Sequence, residues 1–324
     1  MPGPGSYPED LSATKRSQGE HGKTTPMTSK RKGYLFVFAA ILIFTLQDAT
    51  SKHMGSLYPP VFITMIRYWA FAAFVVVLAA RSSGGLKAAI TTKHPVLQVV
   101  RGLLLVSQIV LVIASFASVG LAHSQAIFSV GPIFVALLSI VVLGERVGWR
   151  RWTAIFVGLV GVIVILDPNG GEQASLLIVP VSSALIFAFY VVTTRLVSRE
   201  DTAMTSFFYT GAAGAVAITL VGPFYWTWFA PVDWLWMALL CVTGTSSHFF
   251  LIKAYEYLDA SEVQPLTYLQ LVFASIIGVS VFGEVLSVNM IVGAVIVVAA
   301  GIFTVWRESV VARRAGALKS RPPA

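Results

Sequence analysis

Long apolar runs, separated by short polar stretches, occupy almost the whole chain between Tyr34 and Trp306. The runs are continuous and do not alternate apolar with polar positions, which is typical of membrane-spanning helices and not of barrel strands. A helix needs about 20 apolar residues to cross the hydrocarbon layer. The pattern therefore predicts an all-α integral membrane protein with ten transmembrane helices, at 34–51, 60–80, 96–118, 122–143, 152–166, 174–194, 203–222, 234–255, 261–282 and 287–306.

These ten runs form two similar sets of five. A Gly-Glu pair ends the fourth run of each set, at Gly144-Glu145 and at Gly283-Glu284. Since each set has an odd number of spans, the second set begins on the opposite side of the membrane from the first. Two similar halves in opposite orientation are typical of transporters, because they supply related inward-open and outward-open states. The pattern predicts two inverted five-helix repeats that work by alternating access.

The repeats divide the chain into four parts. A segment rich in Pro, Gly, Ser and charge precedes the first run, and such a composition is typical of disorder. Translation could start at Met1 or at Met27, and the sequence leaves both open. We expect a disordered cytoplasmic tail at 1–32, a first repeat at 33–167, a second repeat at 174–307 and a cytoplasmic tail at 308–324.

Composition and charge placement add an orientation. The chain is 56% hydrophobic and 12% charged, which is too apolar for a soluble domain of this length, so a lipid bilayer must cover much of its surface. Most of the net charge of +8 lies at the two ends and in the even-numbered connections. Because Lys and Arg stay on the cytoplasmic side during insertion, we expect both termini in the cytoplasm and the protein in the cell inner membrane. The basic balance therefore indicates topology and does not indicate a nucleic-acid partner.

Motifs for other classes of chemistry are missing from the sequence. It contains no Walker-type phosphate loop, no His-Glu-x-x-His zinc pattern and no cluster of Cys and His ligands. The single cysteine, Cys241, excludes a disulfide within the chain. We expect no enzyme activity, no bound metal and no cofactor.

Polar side chains inside the spans are the candidates for substrate contact, because a charge there costs about 2.5–3.5 kcal/mol. Asp48 is the best single candidate. Gln125 and Gln264 occupy equivalent places in the two repeats, and Gln264 shares a helical face with Tyr268. The predicted substrate-binding residues are Asp48, Gln108, Gln125, Tyr190, His248, Gln264 and Tyr268.

Lys52 and Arg67 are candidates for a gate or an ion pair. Lys52 lies one helical turn after Asp48 on the same face, and Arg67 lies near the same level in the next span. Two interpretations stay open. The three side chains could contact substrate charge or form a gate, or they could share one polar pocket as an ion pair.

Glycines recur in the last helix of each repeat, at Gly158 and Gly161 and again at Gly293 and Gly301. Small residues let membrane helices approach closely. The pattern predicts a helix–helix contact, either within one chain or in a homodimer.

Several of these motifs resemble a known family. The segment VVLGE at 141–145, the Arg150-Arg151-Trp152 run and the second copy around Gly283 are similar to the EamA family of the drug/metabolite transporter superfamily. The resemblance covers nearly all of 33–307. It implies a central cavity formed by the first, third, fourth, sixth, eighth and ninth helices, with the fifth and tenth packed to one side.

The resemblance also implies secondary transport of a small molecule. The stretches RGLLL at 101–105 and LIKAY at 251–255 are similar to bacterial riboflavin-uptake proteins and S-adenosylmethionine carriers. Many aromatic residues and few buried charges favour a planar, largely neutral cargo, so riboflavin uptake is the leading interpretation. An S-adenosylmethionine-type cargo would want a fixed anion, which Asp48 could supply.

Other functions stay open beside this one. The alternatives are an exporter of amino acids or drugs and, in a different class, a membrane enzyme or a scaffold without transport. The direction of transport, the energy source and the oligomeric state also stay open.

Overall fold

The computed structural model describes residues 27–82, 84–144, 149–167, 173–255, 257–258 and 260–319, and no strand occurs among them. Each of the ten predicted runs lies in one helix or in two consecutive helices. The helices are α1 (Met27–Leu57), α2 (Pro60–Arg81), α3 (Gly85–Ile90), α4 (Pro95–Ser118), α5 (Leu121–Phe128), α6 (Gly131–Leu143), α7 (Trp149–Leu166), α8 (Gln173–Leu176), α9 (Ile178–Val197), α10 (Ala203–Val221), α11 (Asp233–Tyr255), α12 (Ala260–Thr267), α13 (Leu269–Phe282) and α14 (Val288–Lys319).

Seven helical segments among the described residues are long and apolar enough to cross a membrane, and three shorter apolar helices accompany them. The prediction of an all-α membrane protein is confirmed, while the count of ten spans stays a prediction. The long segments are Lys30–Leu57, Pro60–Arg81, Pro95–Ser118, Leu121–Leu143, Ile178–Val197, Ala203–Tyr225 and Asp233–Leu251; the shorter helices are Trp152–Leu166, Leu269–Phe282 and Val288–Thr304.

The two ends of the chain are more helical than the sequence predicts. Helix α1 begins at Met27, inside the segment 1–32 that the sequence predicts to be a tail. The ammonium of Lys30 lies 2.8 Å from a carboxylate oxygen of Glu262, which ties the start of α1 to α12. Helix α14 continues to Lys319, through most of the segment expected to be a tail. Residues 1–26 and 320–324 lie outside the described parts of the chain.

The fourth run of each repeat is a broken helix. In the first repeat α5 ends at Phe128 and α6 begins at Gly131, with a proline in the first turn of α6. In the second repeat α12 ends at Thr267 and α13 begins at Leu269. A proline cannot donate a backbone hydrogen bond, which favours the first break. Discontinuous spans at matching places in two repeats are typical of the functional region of transporters.

The glycine of each Gly-Glu pair ends a broken helix. Gly144 follows α6 with φ 65°, and Gly283 follows α13 with φ 66°. This left-handed conformation stops a helix and is strained for residues with a Cβ, so glycine is favoured there. Of the two acids, Glu145 lies outside the described residues.

Helices α7 and α14, the last of each repeat, pack against each other through glycine. A Cβ added at Gly161 would lie 3.0 Å from the carbonyl oxygen of Gly293, and one added at Gly293 would lie 2.6 Å from that of Gly161. Such short distances leave no room for a side chain. The predicted helix–helix contact is therefore confirmed within the chain, and a homodimer stays a prediction.

Candidate functional site

A cavity of about 870 Å³ lies between α2, α4, α9, α10 and α11. Aromatic rings from three of these helices, α2, α9 and α10, form much of its wall. The volume and the mainly apolar lining are those of a site for a drug-sized organic molecule. The aromatic lining residues are Tyr68, Phe71, Phe74, Tyr190 and Phe207.

The walls of this cavity differ from those that the family resemblance implies. The third, sixth and eighth predicted spans contribute, as α4, α9 and α11, but α2 and α10 replace the first, fourth and ninth. Three helices that do not line this cavity, α1, α5 and α13, are instead joined to each other by hydrogen bonds around Asp48.

Arg67 extends from α2 into the cavity wall. It takes part in no hydrogen bond or ion pair with the parts of the chain that the structure describes, although Asp48 attracts its charge at longer range. The guanidinium packs against α11, since a Cβ added at Gly244 would lie 3.0 Å from Nη2. Arg67 therefore offers N–H donors and a positive charge to whatever occupies the cavity.

Arg101 is a second cation in the wall, and the sequence candidates did not include it. It is 2% exposed, and its Nη2 donates to the carbonyl of Ser206 and to the hydroxyl of Thr210. The guanidinium lies over the ring of Tyr190, with 5.5 Å between Cζ and the ring centroid, a cation–π distance. Its Nε is buried and has no partner among the described residues. The available signal was an arginine several residues inside a predicted span.

Asp48 lies outside the cavity wall and is 6% exposed. Its Oδ2 accepts a hydrogen bond from Nε2 of Gln125 and another from Nε2 of Gln270, each 2.6 Å long. Gln125 lies on α5 of the first repeat and Gln270 on α13 of the second, so one carboxylate joins the broken helices of both repeats. Gln270 was not a predicted site residue, and the available signal was an amide side chain inside the ninth predicted span.

Lys52 forms an ion pair, but its partner is not Asp48, the partner that helical spacing allowed. Lys52 instead forms a salt bridge with Glu284, which follows α13 in the second repeat. The Glu284 carboxylate also accepts hydrogen bonds from the backbone amides of Leu121, at 2.6 Å, and Ala122, at 2.8 Å, in the first turn of α5. Lys52 and Asp48 therefore do not share one polar pocket. The side-chain amides of Gln125 and Gln270 already bind Asp48, and Glu284 offers Lys52 an ionised partner.

Glu284 is held in its charged form by these contacts. Burial alone would raise the pKa of this carboxyl, but the hydrogen bonds from Lys52, Ala122 and Leu121 outweigh burial, and the pKa lies below its usual value. A carboxylate at the start of a helix is also favoured by the helix dipole. We call the contact between Lys52, Glu284 and the first turn of α5 the repeat clamp.

Of the other predicted residues, Tyr190 and His248 line the cavity together with Arg67. The imidazole of His248 packs edge-on against Phe44 of α1, with 5.2 Å between ring centroids. The structure therefore brings three predicted residues to one cavity, on α2, α9 and α11.

The remaining predicted residues lie away from this cavity. The carbonyl of Gln108 accepts from the hydroxyl of Ser183 at 3.4 Å, and Gln108 is not part of the lining. The hydroxyl of Tyr268 is buried against Gly301 of α14 and has no hydrogen-bond partner within the described residues. Gln264 lies in α12, and its side chain is outside the described parts of the structure.

An acidic residue, Asp201, lies at the end of the cavity where α9 and α10 meet. Its carboxylate accepts from Nε2 of Gln98 at 2.8 Å, from the backbone amide of Lys93 at 3.1 Å and from the hydroxyl of Thr92. Asp201 thus already accepts hydrogen bonds from the connection before α4 and from the first turns of α4 itself.

Comparison with known proteins gives the class of this molecule. The profile of the EamA-like transporter family matches residues 31–167 and again 174–306, so the chain belongs to that family. It is a multi-pass membrane protein and a transporter of a small molecule, and it contains two copies of the family's repeat.

Named relatives divide between two cargoes. The S-adenosylmethionine uptake transporter of Rickettsia prowazekii is 25% identical over 279 residues, which cover 85% of this chain and 93% of that protein. The riboflavin transporter of Vibrio cholerae is 26% identical over 295 residues, with 87% and 96% covered. The riboflavin transporter of Rhizobium johnstonii is 29% identical over 252 residues, with 74% and 80% covered. A solved crystal structure shares the fold, with a TM-score of 0.56, 19% identity and coverage of 85% of this chain and 97% of the other.

Proposed function

We propose that this chain is a secondary transporter that moves a planar, ring-containing metabolite across the cell inner membrane by alternating access. The observation that carries the proposal is the position and lining of the cavity. Helices α2 and α4 come from the first repeat and α9, α10 and α11 from the second, so cargo in the cavity contacts both halves of the molecule. Movement of one half against the other would then change access to the cargo.

The proposed architecture has ten spans in two inverted sets of five. The three shorter apolar helices belong to the matched repeats and complete the count begun by the seven long segments. The distribution of Lys and Arg favours cytoplasmic termini. The cavity then extends toward the cytoplasmic ends of α9 and α10, because Ser198, Asp201 and Ala203 line it.

Riboflavin is the first cargo to test, and S-adenosylmethionine is the second. Aromatic walls suit the flat ring of riboflavin. A sulfonium cargo would gain from a free carboxylate in the wall, whereas Asp48 lies outside the lining and Asp201 is already hydrogen-bonded. The relatives named for S-adenosylmethionine uptake keep this cargo as the alternative.

Flux measurements on reconstituted protein test the proposal. The purified chain in liposomes should accumulate labelled riboflavin above empty liposomes, and excess unlabelled riboflavin should compete. If the liposomes take up S-adenosylmethionine but not riboflavin, S-adenosylmethionine becomes the favoured cargo. Absence of flux for vitamins, nucleosides, amino acids and drugs, in both directions, would contradict transport and favour an enzyme or a scaffold.

A further inference from the structure

The fixed charges in the cavity wall are mainly positive. Among the described residues, two arginines, Arg67 and Arg101, line it together with a single aspartate, Asp201. Gln98, Thr92 and the Lys93 amide already donate hydrogen bonds to that aspartate. The cavity therefore presents positive charge that the described protein groups around it do not neutralise directly.

Arg67 is the more exposed of these charges to a ligand. Arg101 already donates to Ser206 and Thr210 and stacks on Tyr190. Arg67 has no such contacts with the described residues, and two glutamine amides, not Arg67, donate to Asp48. A cation without a direct counter-charge within a membrane bundle is costly, and such residues face a cavity or a partner that balances them.

We infer that the cargo carries an oxyanion, a carboxylate or a phosphate, beside its planar ring, and that Arg67 binds this group. The inference rests on the transport function proposed above and refines its choice of cargo, because riboflavin lacks such a group whereas its 5′-phosphate and S-adenosylmethionine carry one. A guanidinium presents a planar fork of N–H donors that matches two oxygens of a carboxylate or phosphate. The rings of Phe71, Phe207 and Tyr190 supply apolar surface for the planar part in the same cavity.

Two pairs of ligands isolate the anionic group. Riboflavin and riboflavin 5′-phosphate share one ring and differ by a phosphate. S-adenosylmethionine and its decarboxylated analogue share the adenine ring and differ by a carboxylate. If the purified protein binds one of these pairs, it should bind the compound that carries the oxyanion at least about tenfold more tightly than the compound that lacks it. This is the difference expected for a charge-assisted, bidentate contact.

Substitutions of Arg67 test whether this residue causes the preference for the ligand with the oxyanion. Arg67→Gln should reduce the difference within each pair to about twofold or less, and Arg67→Lys should keep part of it, because a lysine retains charge without the fork. Arg81→Gln is the matched control, since Arg81 is exposed at the end of the same helix and should leave the preference unchanged. Titration calorimetry in detergent measures all four proteins.

Several outcomes would overturn the inference. One is equal or tighter binding of the member without the oxyanion by the native protein, a result that needs no variant to fold. Another is an unchanged preference in Arg67→Gln. If the protein neither binds nor transports any of these four compounds, the proposed cargo is wrong. Inorganic phosphate then tests the anion site at Arg67 separately. Phosphate should stabilise the native protein against heat more than chloride at equal ionic strength, and Arg67→Gln should lose that effect; no stabilisation of the native protein would contradict the site.

Discussion

Asp48 and Arg67 are opposite charges inside the same bundle, and their surroundings differ. Two glutamine amides from different repeats donate to the buried carboxylate of Asp48. Arg67 lines a cavity and forms no hydrogen bond or ion pair with the residues that the structure describes. A charge that the protein satisfies itself helps to hold the fold, whereas a charge left toward a cavity is available to a ligand. The difference separates groups that join the repeats from groups that meet the cargo.

The repeat clamp is like Asp48 in this comparison, because protein groups satisfy its charges. Lys52 comes from the first repeat and Glu284 from the second, and Glu284 also binds the start of α5. Both clusters therefore join the two repeats through contacts outside the cavity. We expect changes in them to reduce stability, and changes in the cavity to reduce binding.

The largest effect is expected from Glu284→Ala. The change leaves the partly buried ammonium of Lys52 without its partner and two amides of α5 without an acceptor, which should cost about 3 kcal/mol of unfolding free energy. Thermal unfolding in detergent measures the loss. Glu200→Ala is the control, because Glu200 forms exposed pairs with Lys93 and His94 and its loss should change stability little. Equal melting temperatures for the two variants would show that the clamp does not stabilise the fold.

The second prediction compares the two charges directly. Asp48→Asn should lower the unfolding free energy by about 1–3 kcal/mol, because two buried amides lose a charged acceptor. Arg67→Gln should leave the melting temperature unchanged or raise it, since no described group loses a partner. Matched melting curves of both variants provide the test. A similar loss in Arg67→Gln would assign a structural role to Arg67 and remove the contrast.

The third prediction concerns acid. The pKa of Glu284 lies below its usual value of 4.5, so its contribution to stability is present above that pH and is lost as the pH falls through the lowered pKa of the folded state. Glu284→Gln should lose this part of the acid sensitivity and melt at a temperature less dependent on pH below about 4.5. Melting curves from neutral to acidic pH, compared with those of Glu200→Gln, measure it. Parallel profiles for the native protein and Glu284→Gln would contradict this account of the clamp.

The smallest expected effect is on the cavity wall. Tyr190→Ala removes the ring under Arg101 and one aromatic surface, which should weaken cargo binding several-fold with little change in the melting temperature. Phe189→Ala is the neighbouring control, because Phe189 is exposed and does not line the cavity. Cargo affinity in detergent is the readout. Equal affinity in both variants would place the cargo elsewhere.

Local patterns in the sequence determined where the helices lie. The apolar runs predicted the long helical regions, though not the short helix α3 or the outer ends of α1 and α14, because lipid demands long apolar segments with their backbone hydrogen bonds satisfied internally. The Gly-Glu pairs marked matching helix ends at Gly144 and Gly283, since a left-handed residue favours glycine wherever it occurs. The small residues at Gly161 and Gly293 likewise predicted a close helix contact.

Only the tertiary structure decided which polar groups meet. Helical spacing suggested Asp48 for Lys52, but Lys52 binds Glu284, 232 residues away along the chain. Asp48 accepts a hydrogen bond from Gln270, and Arg101 lines the same cavity as Arg67, with α2 and α10 as walls that the sequence did not indicate. The physical reason is that spacing along one helix determines which side chains share its face, whereas the partner across that face depends on how distant helices pack.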